Sequence, residues 1–512
     1  MRQIITETPT GRINRRDLPQ DLAAGEVQDR SNFIVIGVGE NKRNRKHPGA
    51  TRFTDNDTGT SYTSGRVYYT NGNVRKIIAF NSNGKLYFIS ENGEETEDVP
   101  IFIGSSIPCW ATFRVSSNDT LFFCAGDNSG LYEYSGQVAN NFQLVPSFSL
   151  NPVDMVPHLD RMFYVEEDSD VTTFSKNLDP TNVTDSSDAG EITVEAAGGS
   201  KIVKQVVFRE QMFFLKSNII ARLDGRTPAT FEIHHVIDWL GCAARHSVQV
   251  TPIGIIFLGS DYEFYLFDGQ NVKMLSYGAA IGGDKTKNLT GLINRNKTAN
   301  IVSTYYDNKY RCSFAENGKT TNNLEWCYDL TNETDFMTRG FNISSYIAMD
   351  RQPDEPLLLT GRTDLGRLMR MNSGLNWDDG DANPQMSCKL VTRAIGAGEP
   401  YNARFKRIHM TTEVLGAEPM PVYYALDCRT RVSDWGSDQF PIKGEQASVG
   451  SFNMLIQSNI TSRMNLKYGK SKGQNITLII DRNSRDVDFG ISKFDIEAIV
   501  HKTPKLSEKV AA

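Results

Sequence analysis

The sequence predicts an all-β protein, a β-propeller of about seven blades followed by a C-terminal β-sandwich. Three observations predict it. An extended apolar run closed by a small polar turn-former recurs at Phe88-Ile89-Ser90, Glu133-Tyr134-Ser135, Thr173-Phe174-Ser175, Arg222-Leu223-Asp224, Leu266-Phe267-Asp268, Cys327-Tyr328-Asp329 and Arg370-Met371-Asn372. The closing residues lie 40 to 49 residues apart, with one step of 61, and a unit of about 45 residues is the period of a blade of four short strands. Finally, 41 Gly, 19 Tyr and 27 Phe favour strands joined by turns over helices.

Within the repeats, an apolar stretch and then a Gly or Asn turn precedes the closing run, as in Lys76 to Phe80 before Asn81-Ser82-Asn83-Gly84. Leu121 to Cys124 before Asp127-Asn128-Ser129-Gly130 has the same form, and both read as hairpins. The fifth unit is the clearest: Gly254 to Gly259 passes through Ser260-Asp261 into Tyr262 to Phe267 and stops at Asp268-Gly269. The long step requires an insertion of about 15 residues, placed between Tyr277 and Ile301. A generic antiparallel β-protein with evenly spaced strands is the competing reading of the same pattern.

The expected organisation is an N-terminal arm over residues 1–50, a propeller over 51–384, a sandwich over 385–505 and a frayed tail over 506–512. The arm is polar, with a short helix expected around Leu18 to Val27, and ends in the basic run Lys42-Arg43-Asn44-Arg45-Lys46-His47 before Pro48-Gly49. That run reads either as a solvated loop or as a contact for an acidic neighbour or phosphate. The turn Asn376-Trp377-Asp378-Asp379-Gly380-Asp381 breaks the repeat pattern and marks the boundary. Beyond Pro384, strands are expected at Met386 to Ala394, Arg404 to Val414, Pro421 to Leu426, Arg463 to Tyr468, Asn475 to Asp481 and Ile491 to His501. Alternation in Phe405 to Met410 and Phe494 to Ile499 would send every second side chain into a sandwich core.

Met1 to Arg16 has no apolar core of a secretory signal, and no stretch approaches the ~20 apolar residues of a membrane span. Seven cysteines without a CxxC pair read as reduced thiols of a protein made in a cytosol. The Asn-x-Ser/Thr triplets at Asn118, Asn182, Asn288 and Asn475 then read as turns rather than glycosylation sites. A formal charge of −6 excludes a surface that grips nucleic acid all over, yet suits a wall past which a duplex slides.

Positive signs of catalysis or of a cofactor are missing, so no catalytic, cofactor-binding or metal residue is assigned. Gly278 to Thr286 resembles a phosphate loop, but Asp284 stands where the loop needs its lysine, and Gly37-Val38-Gly39-Glu40 lacks the third glycine of a dinucleotide turn. None of His47, His158, His234, His235, His246, His409 and His501 forms a metal-binding pair; adjacent His234 and His235 would point to opposite faces of a strand, one packing and one at the surface. Asp55-Asn56-Asp57-Thr58-Gly59 and Asp378 to Asp381 offer oxygen ligands for calcium but lack the distant acid of an EF-hand. There is no GxSxG elbow, and no way to choose a glycosidase carboxylate pair.

Three stretches resemble the tail-hub or tail-nozzle proteins of short-tailed bacteriophages, also called packaged-DNA stabilisation proteins. They are Asp29 to Phe33 with Glu40-Asn41 and Lys46 to Phe53; Gly241 to Val248 with Gly254 to Gly259 and Tyr262 to Gly269; and Asp378-Asp379-Gly380 with Phe405 to Ile408. In that family the lysine-proline-glycine segment enters the propeller and the third stretch leaves it for a sandwich. The resemblance implies a non-enzymatic virion protein, synthesised in the host bacterial cytoplasm. It would form a homo-oligomeric ring of about six copies below the portal and head-tail adaptor, since a closed ring needs one repeated heterologous contact. Tail fibres or spikes and transiently passing double-stranded DNA would be its other partners. A propeller adhesin or tailspike module that binds a glycan or receptor is the alternative, and a propeller glycosidase the third reading.

Overall fold

The computed structural model describes the chain apart from residues 1, 15–16, 18, 56, 70–74, 98–106, 126–129, 137–141, 147, 196–198, 277–288, 350–356, 379–385, 397–400, 415–419, 427–435, 441–447, 450–451, 454–458, 467–471, 485–487 and 503–512. Seven antiparallel blades succeed one another. Blade one spans Tyr62–Tyr69, Arg75–Asn81, Leu86–Ile89 and Glu95–Glu97. Blades two to six begin at Cys109, Pro152, Ile202, Gln249 and Val302, each with its four strands in sequence order. Blade seven takes Ile343–Met349, Leu357–Arg362 and Leu365–Met371, and the edge strand Trp377–Asp378, from its own stretch of chain. The strand between the last two comes from the other end of the sequence: β5, Ala50–Arg52, pairs antiparallel with Met369–Met371 and parallel with Trp377–Asp378. The expected propeller is therefore present with seven blades, and its last blade is completed by residues far upstream.

All seven recurrent endings mark the third strand of a blade, from Leu86–Ile89 through Leu365–Met371. These strands lie inside their sheets, and those of blades one and six are buried on both faces, so there the run is not the alternating pattern of a half-solvated strand. Blades three, four and six turn from first to second strand on the same two-residue loop, with both residues at positive φ: Leu159-Asp160, Arg209-Glu210 and Asp307-Asn308. This mirror-image turn matches the right-handed twist of the flanking strands. The long step resolves where expected, since residues 275–301 join blades five and six and contain a helical turn at Leu289–Leu292.

Cores fill the spaces between neighbouring blades. Phe213 and Leu215 of blade four meet Phe257 and Phe267 of blade five, and Phe264 stacks on Trp326 of blade six with ring centroids 4.2 Å apart. Tyr62, Ile77 and Ala79 of blade one pack on Ile347, Leu359 and Leu368 of blade seven, which closes the circle. At this seam the hydroxyls of Ser344 and Ser345 both donate to the Tyr62 carbonyl, at 2.6 and 2.8 Å.

The first fifty residues are not a separate arm. β1 (Arg2–Glu7) pairs with Phe489–Lys502, as does β4 (Arg43–Lys46), while β3 (Phe33–Ile36) pairs with β4. β2 (Val27–Ser31) pairs with Met386–Thr392 in the opposite sheet. Both ends of the chain thus build one sandwich, together with Tyr401–Val414, Met420–Leu426, Asn459–Asn465 and Asn475–Ser484. Of the short helix expected around Leu18 to Val27, the described residues 19–27 form none: residues 19–21 are turn, residue 22 is a bend and Val27 opens β2. Nor is the basic run a solvated loop, because Asn44, Lys46 and His47 are buried. The partners of these short polar strands lie hundreds of residues away, a tertiary pairing that local composition does not display.

Candidate functional site

Two places gather chemistry. The first is the joint between propeller and sandwich. Ser31 pairs in parallel with Met337 at the outer edge of blade six, so one sheet runs from the propeller into the sandwich. Asn32, fully buried at φ 56°, fixes the crossing. Its amide nitrogen donates to the carbonyls of Arg339 (3.1 Å) and Ser387 (2.6 Å), and its amide oxygen accepts from the Arg339 N–H (2.8 Å). Arg30, equally buried, donates to the carbonyls of Asp335 and Pro9, both at 2.9 Å. Burial lowers its pKa to about 10, with Asp335 opposing.

Behind this crossing sits a buried ion pair. Arg311 Nη1 lies 3.3 Å from both Glu325 oxygens, its Nη2 lies 3.3 Å from Asn372 Oδ1, and the Tyr346 hydroxyl donates to Glu325 at 2.8 Å. Desolvation pulls the Arg311 pKa down, but the Glu325 charge and hydrogen bond together with Cys327 and Tyr346 outweigh it, and the net shift is upward. Burial pushes Glu325 up, Arg311 with His47 and the hydrogen bonds from Thr338 and Tyr346 outweighs that, and the net shift is downward. The pair is therefore ionised. His47 packs its ring against Phe336 and Trp377 nearby. Burial first, then Arg311, lowers its pKa to about 4, against an opposing contribution from Glu325.

His47 gives the protein a defined acid sensitivity. The folded imidazole stays neutral down to about pH 4, whereas the unfolded one takes a proton near pH 6.5, so stability is lost as pH falls between these values. At pH 5 the loss from this group is about 2 kcal/mol. Glu95, Glu133 and Asp335, whose pKa values burial raises, act with the opposite sign, so the variant comparison isolates the histidine. Urea midpoints measured at pH 7 and pH 5 should fall less in His47→Phe than in the parent; equal falls would remove His47 from the account.

The second place is the propeller axis. Its throat, about 490 Å³, is lined by the inner strands, with Arg66, Trp110, Lys204, Arg245, His246 and Gln249 on its wall. A wider mouth of about 740 Å³ shares Arg245 and His246 and adds Glu167, Asp168, Lys201 and Asn300. Three cations here are paired: Lys204 with Asp154, Arg245 with Glu167 at 3.2 Å and Lys201 with Asp168 at 3.2 Å. His246 is held neutral, its pKa lowered to about 3 by burial first and then by Arg245 and Lys204.

The other sequence candidates separate. His234 and His235 are both exposed, so neither is the packing residue expected; His234 lies 3.4 Å from Asp224, and His235 Nδ1 lies 3.3 Å from Asp238. Asp57 accepts from the N–H groups of Gly59 (2.9 Å) and Gly366 (3.0 Å), a turn role. Gly278 to Thr286, and most of Asp378 to Asp381, lie outside the described residues. Among the described residues no three His, Cys, Asp or Glu side chains converge as metal ligands, and no helix is long and apolar enough to cross a membrane. Six cysteines are buried and unbridged. Neither the joint nor the axial funnel was apparent in the sequence, because their residues come from strands scattered along the whole chain.

Fold and sites together define a seven-bladed β-propeller joined through a shared sheet to a β-sandwich. No family model matches the chain, and no curated protein does. Among solved structures it is similar to a streptogramin B lyase, at 10% identity over 63% of this chain and 95% of that one, with a TM-score of 0.39. Virginiamycin B lyase from Staphylococcus aureus gives 13% identity over 62% and 96%, with a TM-score of 0.36. The extracellular domain of a hybrid two-component system from B. thetaiotaomicron gives 9% identity over 77% of this chain and 46% of that one, with a TM-score of 0.40. These likenesses are distant, and the architecture rests on the strand order itself.

Proposed function

We propose that the chain is a structural protein of a bacteriophage tail, a hub or nozzle subunit whose copies, about six, close into a ring below the portal and adaptor. In this reading it catalyses nothing, helps retain packaged DNA, and lines the path the genome takes on ejection. One observation carries the reading: buried polar groups lock two β-domains into a single block at Arg30, Asn32 and Asp335. Such a joint suits a subunit that must present fixed faces to its neighbours. The resemblance noted above adds support, because Lys46 to Phe53 runs from sandwich strand β4 into propeller strand β5. DNA would pass through the ring of copies rather than along the propeller axis, since a throat of about 490 Å³ has small-molecule dimensions. The mildly acidic charge of each copy favours passage over capture.

Light scattering with negative-stain imaging tests this, on the purified protein alone and mixed with a candidate adaptor complex. Closed rings of about six copies are expected in at least one condition. Monomers in both would overturn the proposal. The axial funnel favours the second reading, a propeller that binds a glycan or receptor, which persistent monomers with sugar binding would support.

A further inference from the structure

Arg66 differs from every other cation around the funnel. It projects from the inner strand of blade one and is half-buried, and among the described residues no carboxylate pairs with it. Its Nη1 donates to the Trp110 carbonyl at 3.2 Å, and burial lowers its pKa. A guanidinium carries five N–H donors, and an uncompensated charge withdrawn from water is costly until an anion meets it. Across the axis, blade four supplies Lys204, and the helical turn Arg245–Ser247 leading into blade five supplies Arg245 and His246. The throat of an acidic protein is thus lined by cations, while the carboxylates at the mouth, Glu167 and Asp168, are already engaged with Arg245 and Lys201.

We propose that this throat binds a small anionic sugar, a monosaccharide bearing a carboxylate or a phosphate, with its oxyanion on Arg66. Guanidinium groups match the planar, two-oxygen geometry of both groups. The rest of the wall suits a hydroxylated body. Ser64, Thr304 and Gln249 offer hydroxyl and amide groups, and the half-buried Trp110 ring is steadied by its N–H donating to Ser64 at 2.8 Å and by contact with Phe123. A volume of about 490 Å³ lies in the range of small-ligand pockets. This inference does not depend on ring assembly, and the failure of either leaves the other standing.

The test is calorimetry on the full chain, with Trp fluorescence as a second readout, using glucose 6-phosphate, glucuronate, inorganic phosphate and uncharged glucose. Saturable binding of at least one charged sugar is expected, with glucose silent. Arg66→Ala should weaken it about tenfold or more, the effect of removing a charge-assisted hydrogen bond. Arg66→Lys should recover part of that loss, and an unchanged melting temperature in either variant assigns the loss to the site. Binding of phosphate as tight as that of the sugar phosphate would overturn the sugar assignment. Failure of both charged sugars at millimolar concentration, or Arg66→Ala binding as tightly as the parent, would overturn the site.

Discussion

Glu325→Ala should destabilise the protein by about 3–5 kcal/mol, the cost of leaving one member of a buried ion pair behind. Glu325 is fully buried, and its loss strands Arg311 beneath the seam of blades six and seven, where Asn372 is the hydrogen-bond acceptor left to it among the described residues. Tyr346 loses its acceptor in the same step. Replacing both charges, as Arg311→Met with Glu325→Leu, should recover most of the stability, because desolvating two charges nearly cancels their attraction. Urea denaturation of the two single variants and the double one checks this. A Glu325→Ala loss below about 1 kcal/mol would mean that water reaches the site, as at an exposed pair.

A comparable effect is expected where the chain enters the propeller. A Cβ on Gly49 would stand 1.8 Å from the Asn376 carbonyl oxygen and 2.4 Å from the backbone N and C of the same residue, so any side chain collides with main chain rather than a movable rotamer. The strand it precedes, β5, is held by Ala50 N–H donating to the Asn376 carbonyl at 2.8 Å and Ser373 N–H donating to the Gly49 carbonyl at 3.0 Å. Gly49→Val should therefore detach β5 from blade seven and cost about 3–5 kcal/mol or abolish folding, in the upper range for single substitutions. Limited proteolysis should show new cleavage near residues 47–60. Gly39→Ala is the control: its φ is +61° but nothing lies within 4 Å, so only about 1 kcal/mol of backbone strain is expected. Equal effects of the two would show that closure of blade seven adds nothing.

The propeller was legible because its signal is local. Each third strand is an apolar run with a turn-former behind it, and seven such runs at a near-constant spacing leave little room for another architecture. The long alternating strands around Phe405 and Phe494 were legible for the same reason, and both lie in the main sheet of the sandwich. Closure was not legible: Ala50-Thr51-Arg52 is three residues without a period, and its pairing with Met369–Met371 spans most of the chain. The turns of blades three and four were hidden as well, since Leu159-Asp160 and Arg209-Glu210 lack the Asn-Gly composition that advertises positive φ. Lys46 and His47 misled through charge, which suggests solvent until the buried surroundings of β4 are seen. The funnel is the extreme case, with Arg66, Lys204 and Arg245 drawn together only by curvature of the ring.

The pairing of the two chain ends also sets an order of events on the ribosome. β5 waits for residues 369–371, β2 for 386–392, and β1 and β4 for 489–502. Blades one to six can form as they emerge, while β1, one edge of β4 and most of β2 stay unmatched until those later residues are made. Open strand edges of that kind invite pairing with other nascent chains. Polysomes making this protein are therefore where chaperone capture, or entanglement between sister polypeptides, would concentrate.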